Sequence, residues 1–191
     1  VGEDAPLSRG DLWLVGREGK DPRHVAQLNE TPIGLAFVEG SKGSALAIRK
    51  SGYREHPAVS VYLVDLATGN VPDLLPEFPG NVDWLAALPK SPGAIAIQTA
   101  EGVHTNLYRL NIETGERTSV LPASLTQHGA LAYPPSVCAD GDTVAALWTS
   151  SDVPEEIYLI DDAGEPACGV SHPRVRALPA GEVRVETYAS L

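Results

Sequence analysis

Along residues 60–76, SVYLVDLATGNVPDLLP, apolar side chains recur at alternate positions: Tyr62, Val64 and Leu66 form one row, and the opposite row is mixed. A period of two puts successive side chains on opposite faces of an extended chain, so the stretch predicts a strand. The chain then turns at ATGN and runs on, which predicts an antiparallel hairpin. The pattern returns as NLYRLNIETGERTSVLP at 106–122, with Tyr108, Leu110 and Ile112 in the row, and once more as EIYLIDDAGEPACGV at 156–170. Each copy turns at a glycine, Gly69, Gly115 and Gly164, the last in a loop one residue shorter. Glycine enters positive φ without a Cβ clash, which suits the bulged end of a short hairpin loop.

A second pair of strands is predicted upstream of each hairpin. The clearest is SVCADGDTVAALWTS at 136–150, where Asp140-Gly141 is a turn signal and Val144, Ala146 and Trp148 alternate with Ala145 and Leu147. GLAFVEGSKGSALAIRKS at 34–51 and DWLAALPKSPGAIAIQTA at 83–100 correspond to it. Small residues (Ala45, Ala47, Ala94, Ala96) crowd these stretches, as expected where sheets converge on a narrow axis. Aligning the aromatic residues Trp13, Tyr62, Tyr108 and Tyr158 gives spacings of 49, 46 and 50 residues. A strand-built repeat of this length falls in the propeller range, and four radially stacked strands per unit make a blade.

The expected fold is therefore all-β: a partial β-propeller over 1–172, with a half blade at 10–29 and blades at 32–79, 81–123 and 128–172. Residues 173–191 are expected to be a linker and one strand directed to a further domain. About three and a half blades do not close a ring, and propellers usually carry four to eight, so the expected state is one piece of a larger assembly. The absence of an initiating Met fits that expectation. No segment keeps i, i+3, i+4 apolar spacing over ten residues, and 18 Gly with 16 Pro interrupt the chain, so almost no helix is expected.

Charge and composition narrow the function. Hydrophobic residues make up 43% of the chain, enough for a real core, and 14 Lys and Arg against 25 Asp and Glu give a net charge of −11. That balance argues against nucleic acid and anionic membranes as partners. No apolar run is long enough to span a bilayer as a helix, and the N-terminal VGEDAPLSRGD has neither a basic nor an apolar stretch. Cys138 and Cys168 are too few for a disulfide scaffold and are read as buried thiols, so a cytoplasmic location is expected.

Catalytic chemistry is not legible in these residues. A nucleophile elbow needs G-x-S-x-G, and neither GSKGS nor GVSHP has the spacing. The histidines at 24, 56, 104, 128 and 172 fall in different repeats without metal-ligand spacing, so neither metal nor cofactor is expected. SRGD at 8–11 opens a strand and is read as incidental. Asn29-Glu30-Thr31 is a glycosylation sequon that would matter only in a secreted protein. The segments 51–59, 99–105 and 150–156 should share one face of the disc. Contact with a peptide is one reading of their charges Arg54, Glu55, Glu101 and Asp152, solvated loop charge is the preferred one, and no catalytic or substrate-binding residue is assigned.

Three stretches carry a resemblance to a known family. RGDLWLVGREGKDPRHVAQLN is similar to the outer hairpin of TolB-like and prolyl oligopeptidase propellers, and CADGDTVAAL resembles their SPDG turn, with Ala139 where the motif has Pro. The tail, 151–190, resembles the last blade and exit of acylaminoacyl-peptidase-like members of the prolyl oligopeptidase family. Pro154, Glu156, Ile157 and Tyr158 match a PxE-[LI]-Y strand there, and Val183, Val185, Tyr188 and Ser190 fit loosely the first strand of the α/β-hydrolase domain. The resemblance implies a non-catalytic propeller that gates and orients short peptide substrates for a serine peptidase, acylaminoacyl-peptidase or dipeptidyl-peptidase-like. It also implies the remaining blades and an α/β-hydrolase catalytic domain as partners. The alternative is a stand-alone TolB-like propeller serving as a protein-binding scaffold. A metal-dependent propeller hydrolase would need a ring of acidic and Asn ligands, which the small apolar inner strands argue against.

Overall fold

The computed structural model describes residues 10–28, 32–40, 43–51, 59–121, 129–131, 134–139, 141–150, 154–161 and 166–170. All fourteen elements in them are β-strands, paired antiparallel in four sheets in chain order, and no helix occurs among the described residues. It follows that none of the described residues forms a helix long and apolar enough to cross a membrane. The first sheet is the hairpin β1 (Gly10–Leu14) and β2 (Arg23–Leu28). The second runs β3 (Gly34–Gly40), β4 (Gly43–Ser51), β5 (Val59–Asp65). The third runs β6 (Asn81–Ala87), β7 (Ala94–Glu101), β8 (His104–Asn111), β9 (Arg117–Ser119). The fourth places β10 (Gly129–Leu131) and β11 (Ser136–Val137) on β12 (Val144–Ser150), followed by β13 (Glu156–Ile160) and β14 (Pro166–Val170).

Proline explains the two irregular blades. In the second sheet the fourth strand is reduced to a single bridge, Tyr62 to Asp73, although Asp65 N donates to Asn70 O, Leu63 N to Pro72 O and Leu74 N to Val61 O at 2.8–3.0 Å. Pro72 has no N–H to return, so the ladder cannot continue. In the fourth sheet the innermost strand is split, and Pro134-Pro135 stand between β10 and β11.

The sheets stack face to face, so in β5 and β8 both rows of the strand are covered. Ala26 and Leu28 pack on Leu46, Ile48 and Val64; Val38, Ala47 and Val61 pack on Leu85, Ile95, Ile97 and Leu110; Ala94, Ala96 and Leu107 pack on Val144, Ala146, Trp148 and Ile160. This is why the opposite row that reads as mixed in sequence holds Val61 and Leu107, both fully buried. Each large aliphatic side chain removed from water contributes about 1.5–3 kcal/mol, so the inter-sheet seams carry most of the apolar stabilisation. Ala47, Ala94, Ala96 and Ala146 are buried within these seams.

The repeated hairpin turn is the same loop twice. Asp65 Oδ1 accepts from the amides of Ala67 and Thr68 at 2.8 and 3.0 Å, and Asn111 Oδ1 from those of Glu113 and Thr114 at 2.8 and 3.1 Å. Thr68 and Thr114 hydroxyls then accept from Asn70 N and Glu116 N. Gly69 (φ 74°) and Gly115 (φ 73°) close the loops by donating to Asp65 O and Asn111 O. An Asx turn capped by a left-handed glycine is what D/N-x-x-T-G encodes. Gly164 lies outside the described residues.

Candidate functional surface

Each stretch of the arc has two ends, and polar side chains gather at both. At the end formed by the β6–β7 and β11–β12 turns, Asp142 is buried, with its side chain 1% exposed. Its Oδ1 accepts from Lys90 N at 2.8 Å, and its Oδ2 accepts from the Ser91 hydroxyl and faces the Arg109 guanidinium at 3.4 Å. Lys90 and Ser91 lie in the β6–β7 turn, so one carboxylate ties the third sheet to the fourth. Three residues on, Gly93 N donates to Glu39 O at the end of β3, tying the same turn to the second sheet.

At the other end, Glu101 closes the β7–β8 turn. Its Oε1 accepts from Thr99 Oγ1, Asn106 Nδ2 and the Tyr108 hydroxyl at 2.8, 3.0 and 2.9 Å. Burial raises the Tyr108 pKa above its ordinary value of 10.0, and the hydrogen bond to the Glu101 carboxylate pushes the same way, against a smaller opposing pull from Arg117. The Arg117 guanidinium lies 4.4 Å from the Phe78 ring centroid and 5.4 Å from that of Tyr108. Three donors on one oxygen make Glu101 part of the hairpin's own framework, a firmer role than the solvated charge expected of it. Arg54, Glu55 and Asp152 lie outside the described residues. In the fourth sheet the repeat-equivalent Tyr158 also donates to a carboxylate, that of buried Glu156, at 3.0 Å.

Between the second and third sheets, Arg49 reaches over Gly34, which leaves room for it, to donate to Val82 O at 3.2 Å. Asp83 stands beside it at the register shift in β6. Burial lowers the Arg49 pKa and raises that of Asp83, while each charge partly offsets the other's shift. Arg49 Nε, Gln98 Oε1 and Trp148 Nε1 are buried with no hydrogen-bond partner among the described residues.

The two described histidines do not converge. His24 Nε2 meets Asp11 Oδ1 at 3.1 Å and its ring packs edge-on against Trp13 at 5.1 Å, all on the outer hairpin; His104 starts β8. His56, His128 and His172 lie outside the described residues, as does the 29–31 sequon. Asp11 sits within β1 as the reading of SRGD expects. Cys138 is exposed, where a buried thiol was expected, because it follows the short β11 at a turn. Among the described residues no three His, Cys, Asp or Glu side chains group as a metal site. The polar groups brought together thus hold sheet to sheet and hairpin to hairpin. Sequence reading missed Asp142, Arg49 and Asp83, whose partners lie in other repeats.

Antiparallel sheets of two to five strands, stacked in chain order, joined at their turns and left unclosed among the described residues, define an arc of a β-propeller. Solved structures agree. The chain is similar to puromycin hydrolase (TM-score 0.59, 19% identity) over 86% of its own length and 25% of that chain. It is similar to TolB from Acinetobacter baumannii (TM-score 0.55, 17% identity) over 83% of its length and 37% of that chain. It is also similar to dipeptidyl peptidase 4 from Porphyromonas gingivalis (TM-score 0.57, 14% identity) over 85% and 30%. The chain therefore spans between a quarter and two fifths of these proteins. No family model and no curated protein matches it by sequence.

Proposed function

We propose that the chain is the non-catalytic propeller portion of a serine peptidase of the prolyl oligopeptidase type, acylaminoacyl-peptidase-like, gating and orienting short peptides in the cytoplasm. Its partners on this reading are the remaining blades and an α/β-hydrolase catalytic domain. The observation that carries it is the match of this arc to puromycin hydrolase and dipeptidyl peptidase 4 over most of its own length and a minor part of theirs. The tail resemblance at Pro154, Glu156 and Tyr158 supports the same direction. On this reading catalysis falls to groups outside residues 1–191, in whose sequence no G-x-S-x-G nucleophile elbow occurs.

The TolB match favours a second reading, a propeller scaffold without catalysis. A fluorophosphonate probe on the intact polypeptide separates the two. The peptidase reading expects covalent labelling of a serine outside residues 1–191 and turnover of short peptide anilides that the probe abolishes. No labelling and no turnover would leave the scaffold.

A further inference from the structure

The second sheet presents an apolar face that is half covered. Ladder pairing sets Leu35 opposite Ile48 and Phe37 opposite Leu46, so all four side chains share one face. Ile48 and Leu46 are 0% and 4% exposed beneath the β1–β2 hairpin, whereas Leu35 and Phe37 are 57% and 62% exposed. Ile33, just before β3, is 56% exposed. The open row is thus a continuation of an interface already formed, and it begins where the first sheet runs out of strands.

The following interface shows what fills such a row. In the third sheet Leu85 pairs with Ile97 as Leu35 pairs with Ile48, and there both are buried. They are covered by the inner strands of the preceding sheet, through Ala36, Val38 and Ala47. The first sheet has only β1 and β2, which occupy the places of β8 and β9; β8 carries β7 on its other edge, and β1 carries nothing there among the described residues.

We infer that in the intact protein the face of Ile33, Leu35 and Phe37 is covered by an antiparallel strand pair from further polypeptide. That pair adds to the free edge of β1 and presents alanine or valine at alternate positions. Main-chain bonds to β1 supply the pairing, and small side chains let the backbone approach the large ones of β3. The inference rests on the part of the proposed function that places further blades beside this arc, and not on catalysis.

The test is thiol accessibility in the intact polypeptide, with Cys138 and Cys168 replaced by serine and Phe37→Cys or Leu35→Cys introduced singly. A maleimide should modify either thiol about a hundredfold more slowly under native conditions than in denaturant at every protein concentration, because a covered group reacts only through local opening. Hydrogen exchange should show the β1 amides that face away from β2 equally protected. Rapid native modification would overturn the inference, and so would protection that vanishes on dilution, which would assign the face to a second copy. Either failure would leave the fluorophosphonate result standing, so the two readings fail separately.

Discussion

Asp142 is the residue whose loss should be felt most, because its carboxylate is buried and satisfies groups from a neighbouring sheet. Asp142→Ala would leave Lys90 N and the Ser91 hydroxyl without their acceptor and Arg109 without its counter-charge. Hydrogen bonds to charged groups are worth about 1.5–3 kcal/mol, and orphaned buried donors add their desolvation cost. Urea unfolding of the variant should show a loss of about 2–4 kcal/mol on that basis, and Asp142→Asn a smaller one, since the amide oxygen still accepts. Tyr108 offers a test with a pH axis. Its folded pKa is raised, so the native state holds the phenolic proton more tightly than the unfolded chain. That stability is present below the ordinary pKa of 10.0 and is lost as pH rises through the window between that value and the raised one. Tyr108→Phe should therefore be less stable near pH 7, where it lacks the bond to Glu101, and should lose less stability than the parent as pH rises past 10.0. Thermal melts across that range check the sign.

Strands and turns were the legible part of this chain. Alternation at Tyr62-Val64-Leu66 and Val144-Ala146-Trp148 reports a local backbone property, and D/N-x-x-T-G specifies its own loop through side chain to backbone bonds at a separation of two or three residues. Asp142, beside the Asp140-Gly141 turn, gave no signal of its own, since its partners lie 51 and 52 residues away and depend on how sheets stack. Asp83 and Arg49 were invisible for the same reason. The prolines could have been read further: Pro72 and Pro134-Pro135 mark where a blade strand fails. Glycine gives the element-scale prediction. Gly69 and Gly102 both have positive φ, 74° and 63°, so alanine is strained at either. A Cβ at Gly102 would meet open space, whereas at Gly69 it would collide with the carbonyl oxygen of Val25 on β2. Gly102→Ala should cost about 1 kcal/mol, the left-handed penalty alone, and Gly69→Ala clearly more, because sheet must separate from sheet. Equal losses in denaturant titrations would show that the outer turn does not press on the hairpin before it.

At the scale of the molecule, a radial stack protects each sheet only through its neighbours. The interior seams bury Ile48, Ile95, Ile97 and Ile160 almost completely, yet the two outermost faces of the described arc still expose Leu35 and Phe37 at one side and Ile157 and Leu159 at the other. A propeller hides such faces by closing, and an arc cannot. Exposed apolar rows beside unpaired strand edges favour association with whatever apolar surface is at hand. Residues 1–191 produced alone should consequently sediment as a concentration-dependent mixture heavier than the 20.2 kDa chain. Replacing Leu35 and Phe37 together by Asp should shift that mixture toward the single chain while circular dichroism stays β-rich, because both side chains are already more than half exposed and neither supports a buried seam. A chain that remains folded at 20.2 kDa at all concentrations, with or without the two substitutions, would mean that the half-covered face of β3 is tolerated in water. The arc would then be a free-standing scaffold rather than a segment of a ring.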